Sequence, residues 1–334
     1  MGVGQAIESL FVNLVLRRKL AHTVRQVKSN PVLPRLLAYF SAVILLACLL
    51  SPPLYWAGSA LAENGVLPFL KGFPFHRYFS RCIQISALVM LWPAFRWIGL
   101  RRLGELGLER NPLGWRDLFT GIGIALVPVL LLAAGYFAFE IYRLKHDFSP
   151  AGIFRILATA PAVAVLEEFL FRGVLLGLCL RAMKPAAAAF FSSAVFAFVH
   201  FMRVARPEVQ PPVDWLSGFG QIPQAFSSAP AWPILGWGLL SLLLAGLILA
   251  FATLRTRSLF LAIGIHAGWI AGQQGLQWLG KFRIKPPEAL LPWVGPNVVS
   301  GAVPTGLVPA CTLLLTAAMA ALYLRHARGS LRHS

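Results

Sequence analysis

Leu166-Glu167-Glu168-Phe169-Leu170-Phe171-Arg172-Gly173 is the stretch on which the reading of this chain turns. Two adjacent carboxylates and an arginine stand inside a run that is otherwise largely apolar, from Ala158 to Leu180. At the centre of a bilayer helix each charged side chain costs about 2.5–3.5 kcal/mol. Three such groups between positions 167 and 172 need partners, a use, or both.

Helical geometry separates the two glutamates. Glu168 and Arg172 are i,i+4 neighbours in the favourable acid-before-base order. Glu167 points about 100° away on a helix with 3.6 residues per turn, and has no such partner. The expectation is a division of labour. Glu168 and Arg172 shape the site, and Glu167 faces a cavity where it can act on water as a general base.

Working outward, the run is one of several. The chain of 334 residues is 57% hydrophobic and 13% charged, against roughly 25% charged in soluble domains. Spans of about 20 apolar residues cross the hydrocarbon core. Eight candidates stand at about 34–57, 79–100, 117–141, 153–181, 186–203, 231–254, 258–279 and 305–325. The fold class read from them is all-α, a polytopic transmembrane helical bundle. Pro52-Pro53 is expected to end the first helix, and Pro128 and Pro161 to be tolerated as kinks. The segment 204–230, rich in Pro, Ser and Gln, reads as a connector or a lid, as does the Pro-rich 281–304.

Before the first span, Ile7, Leu10, Phe11, Leu14 and Val15 repeat at helical spacing ahead of Arg17, Arg18 and Lys19. Residues 1–32 thus form a cytoplasmic or interfacial amphipathic segment, and 33–334 the transmembrane domain. With the N-terminus inside, the loops place 18 Lys and Arg inside and 11 outside, Arg172 being the remaining one of 30. That bias puts both termini in the cytoplasm. The net charge of +18 lies in clusters between apolar runs, the pattern of loops facing anionic lipid rather than nucleic acid. Cys48, Cys82, Cys179 and Cys311 stand singly, as core-filling residues rather than a disulfide framework or a zinc cluster.

Only a few titratable groups fall deep in spans: Glu167, Glu168, Arg172, His200 and His266, from three helices. Each histidine taken alone reads as a core residue bonded to a neighbour. Taken together with Glu167 they are candidate catalytic groups, and Gly264, Ala267 and Gly268 allow close approach beside His266. Counted from the cytoplasmic ends, His266 lies about 15 Å deep and His200 about 24 Å at 1.5 Å per residue, so a common site requires the helices to bring them together.

At these residues the chain resembles the CPBP family of intramembrane proteases, which includes type II CAAX prenyl endopeptidases and bacterial Abi proteins. The family pattern is E-E-x-x-x-R, F-x-x-x-H, then H-x-x-x-N or D. Glu167-Glu168-Phe169-Leu170-Phe171-Arg172 matches the first motif, Phe196 to His200 the second, and Ser258 to His266 the approach to the third. The resemblance covers about 115–280 and implies a protease-like core there. It implies that Glu167 and His200 activate water and that His266 stabilises the oxyanion, aided by an Asn one turn later. Here that position is Ile270, and Gln273 stands about 10 Å along the axis from His266. The resemblance therefore implies an intramembrane endopeptidase cutting a peptide or lipidated protein near its membrane anchor. The alternatives are a catalytically impaired member acting as a binding or immunity protein, and a proton-coupled transporter using the same groups as a relay. A metal-free glutamate/histidine mechanism is expected, with zinc held by Glu167, His200 and His266 as the alternative. The composition looks bacterial, which places the chain in an inner membrane.

Overall fold

A computed structural model of the chain describes residues 32–98, 103–106, 108–147, 149–201, 212–227, 230–297 and 304–329. The amphipathic segment proposed within residues 1–31 lies outside them. The chain folds as an all-α bundle: α1 (Val32–Glu63), α2 (Phe75–Ile98), α3 (Gly114–Ala138), α4 (Ala151–Glu168), a π-helical stretch (Phe169–Leu175), α5 (Leu176–Leu180), α6 (Pro185–Phe201), α7 (Ser217–Ser227), α8 (Trp232–Thr256), α9 (Phe260–Leu279) and α10 (Leu307–Gly329).

Among the described residues, four helices are long and apolar enough to cross a membrane outright: Pro34–Glu63, Gly114–Ala138, Trp232–Thr256 and Leu307–Ala327. This is fewer than the eight spans expected. The helices that fall short are shorter or carry polar groups. Apolar α6 has 17 residues, α2 carries Arg77, Arg81 and Arg96, and α4 with its continuation carries the Glu-Glu-Arg set. The less apolar helices α4 and α9 are the ones that carry most of the site.

The expected stop at Pro52-Pro53 is not observed; α1 runs through both prolines to Glu63. Proline at 52 removes the N–H that would bond the carbonyl four residues earlier. The Ser51 hydroxyl donates to that same Cys48 carbonyl at 3.3 Å, so the freed acceptor is satisfied and the helix continues. Pro128 and Pro161 stand inside α3 and α4, as the sequence led one to expect. The segment read as a connector holds a helix, α7, which lies on α1 where Gly218 meets the Cys48 carbonyl.

Small residues set the interhelical spacing around α9. A Cβ at Gly121 would stand 2.7 Å from the Leu261 carbonyl oxygen, one at Gly268 2.7 Å from that of Ile122, and one at Gly272 2.7 Å from Val129. The ascending pairs make α3 and α9 parallel and bring their backbones close. On its other flank α9 meets α4 antiparallel: Ala160 and Ala164 cluster with Ala267 and Ile270, and Thr159 bonds Gln274 at 3.1 Å. Helices α6 and α8 also run antiparallel, with Ser193 against Gly246 and Phe196 clustered with Leu242.

A short antiparallel ribbon ties the far ends of α3 and α9 together, β1 (Tyr142–Leu144) pairing with β2 (Gly280–Phe282). Tyr142 stacks on Tyr136, and burial pushes its phenol up to about 12. At the opposite end Asp117, buried in the first turn of α3, accepts from Asn111 at 2.7 Å and from the Tyr323 hydroxyl of α10 at 2.5 Å. Asp117 is thus a buried tie between helices.

Candidate active site

The five titratable groups singled out from sequence meet in one place. Glu167 and Glu168 end α4, Arg172 follows in the π-helical stretch, His200 stands near the end of α6, and His266 lies in the second turn of α9. π-helical turns are rare and are frequently found at functional sites. Here the irregular turn begins directly after the two glutamates.

Glu168 forms the enclosed half. Its side chain is 0% exposed and that of Arg172 1%. Arg172 Nη1 donates to Glu168 Oε1 at 3.0 Å, and Nη2 donates to the Gly246 carbonyl of α8 at 3.3 Å. The guanidinium also lies 4.3 Å from the ring centroid of Phe196, a cation–π contact that holds its plane. The pairing read from the i,i+4 spacing is present. The sequence did not reveal that the same Oε1 also receives His266 Nδ1, at 2.8 Å.

Glu167 forms the open half. Its side chain is 22% exposed and that of His200 17%. Glu167 Oε2 stands 3.4 Å from His200 Nε2 and 3.8 Å from His266 Nε2. Charge-assisted bonds are usually about 2.7–2.9 Å, so these are approaches rather than closed bonds. Oε2 is buried and has no hydrogen-bond partner in the protein. His200 Nδ1 meets the Phe196 carbonyl at 2.7 Å. A carbonyl only accepts, so this nitrogen carries the proton and Nε2 presents its lone pair towards Glu167.

Phe196, noted in the sequence only as a motif position, is the hub of the site. Its ring touches Arg172, lies 4.3 Å from the ring of His200 and 5.9 Å from that of His266, and meets Phe171 edge-on at 5.1 Å. Its backbone orients one histidine while its face orients the arginine.

Two residues stand apart from this convergence. Ile270, 2% exposed, belongs to the apolar cluster of Ala160, Ala164 and Ala267, so nothing polar stands one turn beyond His266. Gln273 is fully buried with neither amide atom bonded. Zinc is the metal the family resemblance brings into question. Glu167, His200 and His266 do converge. However, among the described residues no group of three His, Cys, Asp or Glu side chains is arranged to hold a metal ion.

This geometry lies within a region that has relatives. Residues 149–271 match the family model for Rce1-like type II CAAX prenyl endopeptidases. Over these residues the chain is similar to CAAX-type proteases. The matched segment begins two residues before α4, runs through all three motif positions and stops just after Ile270, so it contains every residue of the convergence. The match supports a CAAX-type intramembrane protease in general terms, and the long apolar helices fit a lipid bilayer. No curated protein and no solved structure matches the chain.

Proposed function

We propose that the protein is an endopeptidase that hydrolyses a peptide bond close to a membrane anchor, using water activated by Glu167 and His200. One observation carries this reading. A buried carboxylate oxygen, Glu167 Oε2, has no hydrogen-bond partner and faces two imidazole nitrogens. An acceptor left in that state is costly, by about 1–3 kcal/mol or more for a charged group. It is suited to take a proton from a water placed beside it.

The steps follow from the groups present. A water donates one O–H to Glu167 Oε2 while His200, its Nδ1 proton committed to Phe196, offers Nε2 to the other. The water oxygen adds to the scissile carbonyl carbon as its proton passes to Glu167. His266 turns Nε2 towards the same oxygen of Glu167, at 3.8 Å. When the C–N bond breaks, Glu167 returns the proton to the leaving amine. No step uses a metal. The substrate class is a peptide or lipidated protein whose cleaved bond lies near the bilayer, the prenylated CAAX terminus being the eukaryotic example. The orientation with both termini in the cytoplasm, and residence in a bacterial inner membrane, belong to the same proposal.

The test compares membrane-proximal peptide termini by mass spectrometry in cells making the native protein or Glu167→Ala. Termini present only with the native protein identify the substrate; identical termini in both overturn the reading. Cleavage by purified protein should survive chelation. Loss of cleavage that only an added divalent ion restores would overturn the metal-free mechanism.

A further inference from the structure

The sequence assigned Glu168 to a structural pair with Arg172. Its contacts go further. Glu168 Oε1 accepts from Arg172 Nη1 at 3.0 Å and from His266 Nδ1 at 2.8 Å, so one oxygen joins the arginine of the first motif to the histidine of the third. Three contacts fix the arginine: this carboxylate, the Gly246 carbonyl and the face of Phe196. With Glu168 at 0% exposed, neither partner has water to turn towards. The carboxylate that meets His266 is therefore held in one orientation.

We propose that Glu168, anchored by Arg172, is a positioning residue that locks His266 in the form carrying its proton on Nδ1, so that Nε2 is the ring nitrogen that serves the reaction. This rests on the function proposed above. An ionised carboxylate is only an acceptor, and an arginine already donates to this one, so the imidazole nitrogen at 2.8 Å is an N–H. The other nitrogen is then turned towards Glu167 Oε2, at 3.8 Å. The groups facing His266 are Glu168 and Glu167 from the end of α4 and Phe196 from α6, with Arg172 behind Glu168 and His200 across Glu167.

The two histidines are thereby treated alike. His200 gives its Nδ1 proton to a backbone carbonyl and His266 gives its own to a carboxylate, and both turn Nε2 to the same oxygen of Glu167. An acceptor at Nδ1 that sets the tautomer and orientation of a working histidine is a recurrent device. It accounts for two adjacent glutamates: Glu167 works in the site and Glu168 orients the histidine opposite.

Removing Glu168 alone strands Arg172, so the test uses Glu168→Met together with Arg172→Met, which replaces the buried pair by apolar side chains; such replacements are often neutral or stabilising. The full chain is labelled with ¹⁵N-histidine in nanodiscs, and the His266 signals are assigned from their loss in His266→Ala. The spectra are read at a pH where imidazole is neutral. In the native protein His266 should show a protonated Nδ1 and a bare Nε2. In the double variant it should shift to a majority of Nε2–H, with the His200 signals unchanged. A native protein with Nε2–H at His266, or a double variant with an unchanged tautomer, overturns the proposal. On a peptide identified by its termini, the double variant should lose about 10²-fold or more in kcat with KM nearly constant, the size expected for a misplaced acid–base group. An unchanged kcat overturns it too. A native protein with the Nδ1–H tautomer but no peptidase activity would sink the functional reading and leave the assignment of Glu168 standing.

Discussion

Glu167 and Glu168 are neighbours in sequence and opposites in environment. Glu168 is closed off, with one oxygen bonded to both a guanidinium and an imidazole and no solvent exposure. Glu167 is about a fifth exposed, with a buried oxygen that no group bonds and two imidazole nitrogens standing just beyond bonding distance. The same carboxylate chemistry therefore gives a sealed strut on one face of the helix and a partly open acceptor on the next. Glu168 has one oxygen held by two donors and the other sealed away from solvent, so it has little to offer a substrate, whereas the Glu167 oxygen lies beside two imidazole nitrogens in a partly open site and has a use for water.

The sharpest way to break this contrast is to change the open half. Glu167→Gln keeps size and burial but cannot take a proton. Cleavage by purified protein should fall by about 10²–10⁴-fold, the usual worth of a general base, while the thermal unfolding midpoint stays near that of the native protein. Near-native turnover would mean that the unsatisfied oxygen is not the base. The closed half should respond in the opposite sense. Arg172→Met leaves Glu168 buried without its cation. It should cost about 3–5 kcal/mol of stability, as breaking a buried pair does, visible as a large drop in the unfolding midpoint. A midpoint unchanged in Arg172→Met would show that the pair is not the strut described.

How much of this contrast the sequence could show follows from what is local. The Glu168–Arg172 pair was legible because an i,i+4 rule needs only one helix. The separation of Glu167 from it was legible because successive residues on a helix diverge by about 100°. The bond from Glu168 to His266 was not legible, because it crosses from α4 to α9 and no spacing rule within one helix tells which face of the other it meets. The π-helical turn after Glu168 leaves no compositional mark in Phe169–Leu175. Helix α7 was hidden in the segment 204–230, whose Pro, Ser and Gln content read as a connector or a lid. It rests instead on the close fit of Gly218 against Cys48, sixteen residues into α1. Pro52-Pro53 misled for the converse reason: the hydroxyl that rescues the Cys48 carbonyl belongs to Ser51, and its role is visible only in three dimensions.

Ile270 tests the boundary between the two halves. It packs among Ala160, Ala164 and Ala267, one turn after His266 in α9. Ile270→Asn puts an amide into that alanine cluster and should destabilise the fold by about 1–3 kcal/mol, the cost of a buried polar group without a partner. Turnover of a cleaved peptide, normalised to folded protein, then reads the chemistry. A rise of tenfold or more would identify the missing donor as the limit on the native rate. An unchanged rate with lowered stability would assign position 270 to packing alone.

The smallest effect is expected far from both glutamates, where Asp214 caps the start of α7. Its Oδ1 accepts from the Leu216 N–H at 2.9 Å and from the Ser217 hydroxyl at 2.8 Å, while Ser217 Oγ accepts from the Asp214 N–H at 2.9 Å. The Ser217 hydroxyl, followed by backbone N–H groups, holds the Asp214 carboxyl below the usual range. A depressed folded value means that the cap contributes fully above the ordinary aspartate pKa of about 3.9 and is lost as pH falls through the lower folded value. The neighbouring Trp215 meets Trp56 edge-on at 4.7 Å, and Trp56 Nε1 donates to the Val213 carbonyl, so tryptophan fluorescence reports this corner. Asp214→Ala should flatten the acid transition of that fluorescence and leave both turnover and the His266 tautomer as in the native protein. If it lowered turnover as much as the Glu167 variant does, the site would depend on α7. The contrast between the two glutamates would then no longer be a property of their own helix.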